Sequence, residues 1–445
     1  LTATASFGID FGTTNSSVAL AHADGRVEMV EFPALGSLTQ SFRSVLYLER
    51  AKAAGRAGLK SFTGPGAIER YLHSHGESGD AQGRLIQSLK SYLASRSLTG
   101  TEVFGRRYTL EDLISRMLAD LRAAAEKQFG IEVRQATVGR PVRFVGAETP
   151  EDDTFPLERL RAAFLQAGFE QVQFELEPIG AAYAYEAGLE RDELILIGDF
   201  GGGTSDFSLL QVGPQARRNR RSLAGAGLLG NAGLGLAGDA FDARIVRRLV
   251  SPALGMDSYE RAAASINSPK LIPAVPAWIY ANLERWHYLS FLKTRNVAEI
   301  LRGARMRSAE PEKIEALVTL IEEDLGYQLH QAVERLKVEL SRSETAVFRF
   351  RDGSMEIEAE VARAEFEAWI AADLEAIERC VDGLLSKSGV EANRVDRVFL
   401  TGGTSFVPAV RRIFERRFGA EQVRAGGEFT SVARGLALRG LESPQ

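Results

Sequence analysis

The sequence predicts an α/β protein built in two lobes, and three observations lead there. One phrase occurs twice, as Ile9-Asp10-Phe11-Gly12-Thr13-Thr14-Asn15-Ser16 near the start and as Gly198-Asp199-Phe200-Gly201-Gly202-Gly203-Thr204-Ser205-Asp206 much further on. Each copy stands between two short apolar runs: Ser6 to Ile9 and Val18 to Ala21 for the first, Leu194 to Ile197 and Phe207 to Val212 for the second. The chain, at 445 residues, is also longer than one hydrophobic core usually supports.

Each phrase reads as strand, tight turn, strand, with an acid just before the tip. Glycines let the backbone approach a ligand and take positive φ, so that successive N–H groups can converge on one anion. The threonine hydroxyls add donors. The acids beneath suit a hard cation such as magnesium, which keeps its waters and bridges to phosphates. A lone Asp-x-Gly-Thr-Thr is an ordinary turn. Two in matching contexts imply two lobes gripping one polyphosphate from opposite sides. A third glycine turn, Thr401-Gly402-Gly403-Thr404, follows the strand Val395 to Leu400 and precedes a helix, where a ligand can meet backbone amides.

Composition narrows the class. With 45% hydrophobic and 25% charged residues the chain is ordinary globular material. A formal net charge of -5 gives no support to a nucleic-acid footprint. No run approaches the roughly 18 apolar residues a membrane helix needs, and no secretory pattern precedes Phe7. Cys380 stands alone, which excludes an internal disulfide, fits a cytoplasmic location, and reads as a small buried residue rather than a nucleophile. The histidines His22, His73, His75, His287 and His330 have no metal-binding spacing, and His73-x-His75 is read as a solvated loop. No CxxC, no Ser-His-Asp arrangement and no G-x-x-x-x-G-K-[ST] loop is present.

The remaining elements follow in order. Ala23-Asp24-Gly25-Arg26 is a hairpin turn. Gly64-Pro65-Gly66 and Ser74 to Gly83 read as exposed loops. Leu110 to Phe129 has helical spacing, with Leu113, Met117, Leu118 and Leu121 on one stripe. A strand from Gln135 to Val138 ends at Gly139-Arg140-Pro141, an acidic loop runs from Glu148 to Pro156, and a helix from Leu157 to Ala167. Glu177 opens another helix, with Pro178 suited to its first turn. Arg217, Arg218, Arg220 and Arg221 read as a solvated loop, and residues 222–238 as a glycine-rich, nearly low-complexity stretch. Residues 251–326 read as mostly helical, with Trp278, Tyr280, Trp286 and Tyr288 as packing aromatics. An amphipathic helix is expected from Leu329 to Ser343, a hairpin across Arg351-Asp352-Gly353, and helix from Arg363 to Ser386.

At this point the residues resemble a family. From Phe7 to about Leu438 the chain is similar to the nucleotide-binding domain of the DnaK-type heat-shock chaperones, within the actin-like ATPase superfamily. The likeness rests on Asp10 to Thr14, Glu177-Pro178, Asp199 to Asp206, Gly238 to Phe241, Glu334 to Ser341 and Gly402 to Thr404. It is nearest to the short YegD-type members, with their Gly139-Arg140-Pro141 turn, glycine-rich approach to Gly238, and no peptide-binding domain after the ATPase domain. The resemblance implies an actin-like ATPase fold, a ribonuclease H-like motif duplicated into two lobes around a central nucleotide cleft. It implies a first lobe at 1–192 (core 1–40 and 113–192, insert 41–112) and a second at 193–440 (core 193–240 and 367–440, insert 241–366), with a tail at 441–445.

Carried over residue by residue, it implies Gly12, Thr13, Thr14 and Asn15 as one phosphate turn and Gly201, Gly202, Gly203 and Thr204 as the other. Asp10 and Asp199 would hold magnesium through its waters, and Asp206 a monovalent cation such as potassium or an in-line water. Glu177 would sit beside the attacking water. Lys90 would stand near the γ-phosphate, unless it is a surface lysine on an amphipathic helix. Glu334, Lys337 and Ser341 share one helix face by spacing. With Gly238, Val338, Gly402, Gly403, Thr404 and Phe406, that face would hold the adenosine. Pro141 and Arg161 fall where the family relays lobe closure. Three departures stand out: Asn15 replaces an aromatic, Phe406 an arginine, and Phe429 an acid; Val338 offers Phe406 an apolar partner for a purine ring. The implied function is slow hydrolysis of ATP to ADP, switching lobe closure to control a protein partner or client, with neither nucleic acid nor membrane involved. The rivals are a nucleotide-binding interaction module with little turnover, an actin-like filament protein and a small-molecule kinase.

Overall fold

The structure is a computed structural model that describes residues 5–34, 36–51, 58–76, 83–147, 149, 151–186, 188–222, 227–261, 272–284, 292–323, 325–353, 355–425 and 431–442. It forms two compact units: Leu1–Gly235 with Cys380–Gly402 and Phe414–Gln445, and Leu236–Arg379 with Gly403–Ile413.

The first unit contains one strand motif twice. In the first sheet the order is Gln171–Leu176, Gln135–Arg140, Ala5–Phe11, Asn15–His22, Val27–Met29; in the second it is Val423–Ala425, Arg397–Thr401, Glu193–Phe200, Ser205–Val212, Leu228–Leu234. In both, the first three strands in chain order form an antiparallel meander, and the fourth and fifth add in parallel on the far side of the first. The apolar runs place their side chains in the cores: Ile9, Phe11, Val18 and Leu20 are buried in one sheet, Ile195, Ile197, Phe207 and Leu209 in the other. Strands buried on both faces read as nearly continuous apolar runs, which is why they were legible. The phrase tips coincide too. Phe11 pairs with Ser16 around residues 12–15, and Phe200 pairs with Ser205 around residues 201–204.

Glycines allow the C-terminal helix, Ser431–Glu442, to lie directly on the first sheet and on the helix Glu177–Glu186. A Cβ on Gly8 would fall 2.2 Å from the Ala437 nitrogen, and one on Gly435 would fall 1.7 Å from the Gly180 carbonyl oxygen. Ala433, Leu436 and Ala437 fill the seam and are fully buried.

Between Val27–Met29 and Gln135–Arg140 in chain order comes a separate three-stranded sheet, ordered Gly58–Thr63, Val45–Ala51, Gly83–Gln87, with the helix Gly64–Gly76 against it. Here the loop expected at Gly64-Pro65-Gly66 is corrected: Gly64 takes φ +61° and Pro65 starts a helix, the position where a missing N–H costs nothing. His73 lies in that helix, with Nδ1 2.7 Å from the Glu69 carbonyl. Ser74 belongs to it as well, and residues 77–82 lie outside the described residues. The helix Leu110–Phe129 follows, started by a Thr109/Asp112 capping box and ended by Gly130 at φ +67°. The next crossover helix begins at Thr154, so Pro156 sits inside its first turn rather than in the expected loop.

Two further readings are corrected in this unit. The arginine run is helical, Pro214–Ser222, because Pro214 can start a helix and arginine is a good helix former. The glycine-rich stretch contains a strand, Leu228–Leu234, whose side chains alternate between partly buried and exposed at the sheet edge.

The second unit is mainly helical. Gly238–Ile245 runs through a π-helical turn, Val246–Val250, into Ser251–Ala253. Ala277–Leu283, Arg295–Arg307, Pro311–Glu322 and Gly326–Arg342 follow, then the hairpin Thr345–Asp352/Met355–Ala362. The single helix expected from Arg363 is broken at Ile370 into Arg363–Trp369 and a helix starting at Ala371. Tyr280 is buried and donates to the Leu254 carbonyl at 3.0 Å, whereas Trp278 is exposed; Trp286 and Tyr288 lie outside the described residues.

Candidate functional site

Five ionisable side chains converge in the first unit, each delivered by a different stretch of backbone. Asp10 is the last residue but one of the strand Ala5–Phe11, Asp199 holds the same place in the strand Glu193–Phe200, and Asp206 faces Asp199 across the hairpin. Glu177 opens its helix immediately after the strand Gln171–Leu176. Lys90 lies just after the strand Gly83–Gln87, on a 3-10 turn, Leu89–Tyr92, entered through Ser88 at φ 56°. Lys90 Nζ lies 2.7 Å from Glu177 Oε1, and both side chains are largely buried, at 9% and 13% exposure. A solvated surface lysine is therefore ruled out for this position.

The electrostatics follow from four acids gathered around one ammonium. Burial pushes the Asp10 carboxyl up to about 8, helped by Glu177 and Asp199 and opposed by Lys90. Asp206 also stands at about 8, through burial and the charges of Asp199 and Glu177, against hydrogen bonding from Thr204 and the charge of Lys90. Asp199 is raised by burial and Glu177, while a hydrogen bond from Thr401 pulls the other way. Burial works against the Lys90 ammonium, but Glu177, Asp10 and Asp199 outweigh it and its pKa rises. The three aspartates remain partly exposed, so a ligand could reach them. An added positive charge would relieve their mutual repulsion.

Above the aspartates, Gly12 accommodates a backbone fold that no side chain permits: its Cβ would fall 2.1 Å from the Asn15 carbonyl oxygen. The Thr14 carbonyl accepts from the Ser44 amide at 2.8 Å, and Asn15 pairs with Arg43. In the second tip the Gly201 amide donates to the Thr204 carbonyl at 2.8 Å, while a Cβ on Gly203 would meet nothing within 4 Å. Gly402, at φ +82°, passes so close to the second hairpin that its Cβ would fall 1.9 Å from the Phe200 carbonyl oxygen. Gly402 thus belongs to the base of that tip.

The expected nucleoside residues other than Gly402 lie in the second unit. Gly238 is buried at the start of its helix. Lys337 Nζ meets Asp242 Oδ1 at 2.6 Å, and the Ser341 hydroxyl donates to the Lys337 carbonyl at 2.9 Å. Glu334 is exposed on the same helix. Val338 and Phe406 are exposed apolar side chains, at 44% and 50%, while Thr404 is buried in the 3-10 turn Gly403–Phe406. Arg161 donates to the Val172 carbonyl at 2.8 Å and covers the Phe174 ring. Phe429 lies outside the described residues.

Three residues touch the acids in ways the sequence did not indicate. A Cβ on Gly139 would fall 3.0 Å from Glu177 Cγ, and one on Gly233 would fall 2.9 Å from Asp206 Oδ1, so each glycine leaves room for an acid. Thr401 donates its hydroxyl to Asp199 Oδ1 at 2.5 Å. The signal available was position: Gly139 and Thr401 sit at the ends of the parallel strands that flank the two hairpins. Among the described residues, no group of three or more His, Cys, Asp or Glu is arranged to hold a metal ion by itself, and no helix is long and apolar enough to cross a membrane.

A duplicated five-stranded motif with two glycine-threonine tips over paired acids defines an actin-like ATPase fold. The Hsp70 protein family model matches residues 6–257 and 316–441, so the chain belongs to the Hsp70 family. Curated relatives include the chaperone protein DnaK of Thermosipho africanus (strain TCF52B), 25% identical over 435 residues, with 97% of this chain and 58% of that protein covered. DnaK of Thermotoga petrophila is 24% identical over the same shares. The chain thus spans 58% of the length of these relatives. The family match skips residues 258–315.

Proposed function

We propose that this protein binds ATP with magnesium, hydrolyses it slowly to ADP, and uses the nucleotide state to control a protein partner, in the manner of a chaperone ATPase. The observation that carries the reading is the convergence of Asp10, Lys90, Glu177, Asp199 and Asp206 beneath two equivalent glycine-threonine tips. Phosphoryl transfer asks chiefly for positioning and charge neutralisation, and this inventory is suited to both.

In this reading the amides and hydroxyls of Gly12, Thr13 and Thr14 and of Gly201 to Thr204 cradle the phosphates. Asp10 and Asp199 would hold magnesium through its waters, which suits partly exposed carboxylates that form no direct-ligand cluster. Bound magnesium would supply charge neutralisation at the phosphate oxygens. Lys90 brings an ammonium to the γ-phosphate end, and Glu177, held against Lys90, orients the attacking water. Asp206 would serve a monovalent cation or an in-line water. Gly238, Glu334, Lys337, Val338, Ser341, Gly402, Gly403, Thr404 and Phe406 remain our proposed nucleoside-binding residues. A lobe boundary near Glu193 is supported by the strands, since the first sheet lies wholly before it and the second wholly after. Closure of those lobes would transmit the nucleotide state.

Phosphate release tests the reading. Wild-type protein with ATP and magnesium should release phosphate, and Lys90→Ala should lower the rate by about 10²-fold or more, the scale of losing one preorganised charge at a reacting group. No release from the wild type would reject hydrolysis.

A further inference from the structure

We propose that Thr401 is a positioning residue for Asp199, its hydroxyl holding one carboxylate oxygen so that the carboxylate keeps a single orientation towards a magnesium-bound nucleotide. The inference rests on the proposed nucleotide reading and extends it to a residue that reading did not include.

Thr401 is the last residue of the strand Arg397–Thr401, and the parallel ladder sets it beside Asp199. Its hydroxyl donates to Asp199 Oδ1 at 2.5 Å, and among the described residues it is the hydrogen-bond donor to that carboxylate. The strand itself asks only for a β-branched apolar residue there. Val398 and Leu400 fill the same strand without polar atoms, and Thr401 is only 5% exposed. Valine would satisfy the pleat equally and avoid burying a hydroxyl, which costs free energy unless bonded. What threonine adds over valine is the bond to Asp199.

Two constraints keep donor and acceptor together. The ladder pairs Asp199 with Thr401. One residue on, Gly402 passes over the Phe200 carbonyl so closely that a Cβ would fall 1.9 Å away, which fixes the chain on both sides of the contact. A rigid donor of this kind removes rotational freedom from the carboxylate before any ligand arrives, leaving less ordering to be done on binding. Oδ1 is committed to the threonine, and Oδ2 is left for a ligand.

The test compares wild type with Thr401→Val, Thr401→Ala and Thr401→Ser by calorimetric titration of ADP, with and without magnesium. Loss of a hydrogen bond to a charged group should weaken ADP binding in magnesium about tenfold in Thr401→Val and Thr401→Ala. Binding without magnesium should be unchanged, and Thr401→Ser should recover to within about threefold of wild type. Equal affinity in Thr401→Val and wild type overturns the inference. So does an equal loss in Thr401→Ser, or a loss that is the same with and without magnesium. Either apolar variant suffices if the other does not fold, and failure of both to fold while Thr401→Ser folds would assign the hydroxyl to stability and also overturn it. If the wild type binds no ADP in magnesium, the nucleotide reading falls first and the inference with it. Tight wild-type binding left unaltered by the substitutions sinks the inference alone.

Discussion

Asp10 and Asp206 hold a proton near neutral pH that an ordinary aspartate would have lost, because burial and neighbouring carboxylates raise both from 3.8 to about 8. In protein free of metal and nucleotide, the folded state therefore binds more protons than the unfolded chain between about pH 4 and 8. Stability is fully present below the unfolded value and declines as pH rises through that window. Each group can contribute at most about 1.4 kcal/mol per pH unit, and two coupled groups contribute less than twice that. Urea unfolding should accordingly show a lower midpoint at pH 8 than at pH 6, with a shallower dependence in Asp206→Asn. Equal midpoints in wild type at the two pH values would contradict the raised acids. The same residues show how far single positions could be read. Asp10, Asp199 and Asp206 announce themselves by a repeated phrase, whereas Lys90 has no local signature that separates it from a surface lysine. Its meaning comes from Glu177, which lies 87 positions away in sequence and 2.7 Å away in space.

At the scale of elements, glycine decides which pieces can touch. Gly435→Ala should destabilise the protein by about 3 kcal/mol, since the new carbon would sit 1.7 Å from the Gly180 carbonyl with backbone on both sides. Gly383→Ala, in the helix that begins at Ala371, would meet nothing within 4 Å and should stabilise by about 0.5–1 kcal/mol. Denaturation of the two variants should move the midpoint in opposite directions; a shared direction would refute the seam argument. Elements with strong local pattern were legible: both hairpins, the helix Leu110–Phe129 and the helix opened by Glu177. Those misread all have loop-like composition. In Gly64-Pro65-Gly66 and the arginine run a proline in the first turn lets a helix start, whereas the strand Leu228–Leu234 is imposed by pairing with Ser205–Val212. The last case has a particular reason, since Gly233 stands opposite Asp206 and makes space for its carboxylate.

For the whole molecule, a ligand that binds only the folded state must raise its stability. ADP with magnesium should increase the melting temperature with ligand concentration, corresponding to about 2.7 kcal/mol at a hundred times the dissociation constant. Gly12→Val should abolish most of that shift, because a side chain there collides with the Asn15 carbonyl of the tip itself. A ligand-induced shift retained in full by that variant would remove the first tip from the binding site.

The sequence by itself determined the duplication, the two acid-tipped hairpins and the family, since each is written in residues close together along the chain. Tertiary structure alone decided that Lys90 meets Glu177, that Thr401 reaches Asp199, and that Gly139 and Gly233 clear space for acids. The reason is physical. Turn chemistry and strand periodicity act over a few residues, whereas burial, charge pairing and close packing act over a few ångströms, between segments whose proximity only the folded chain creates.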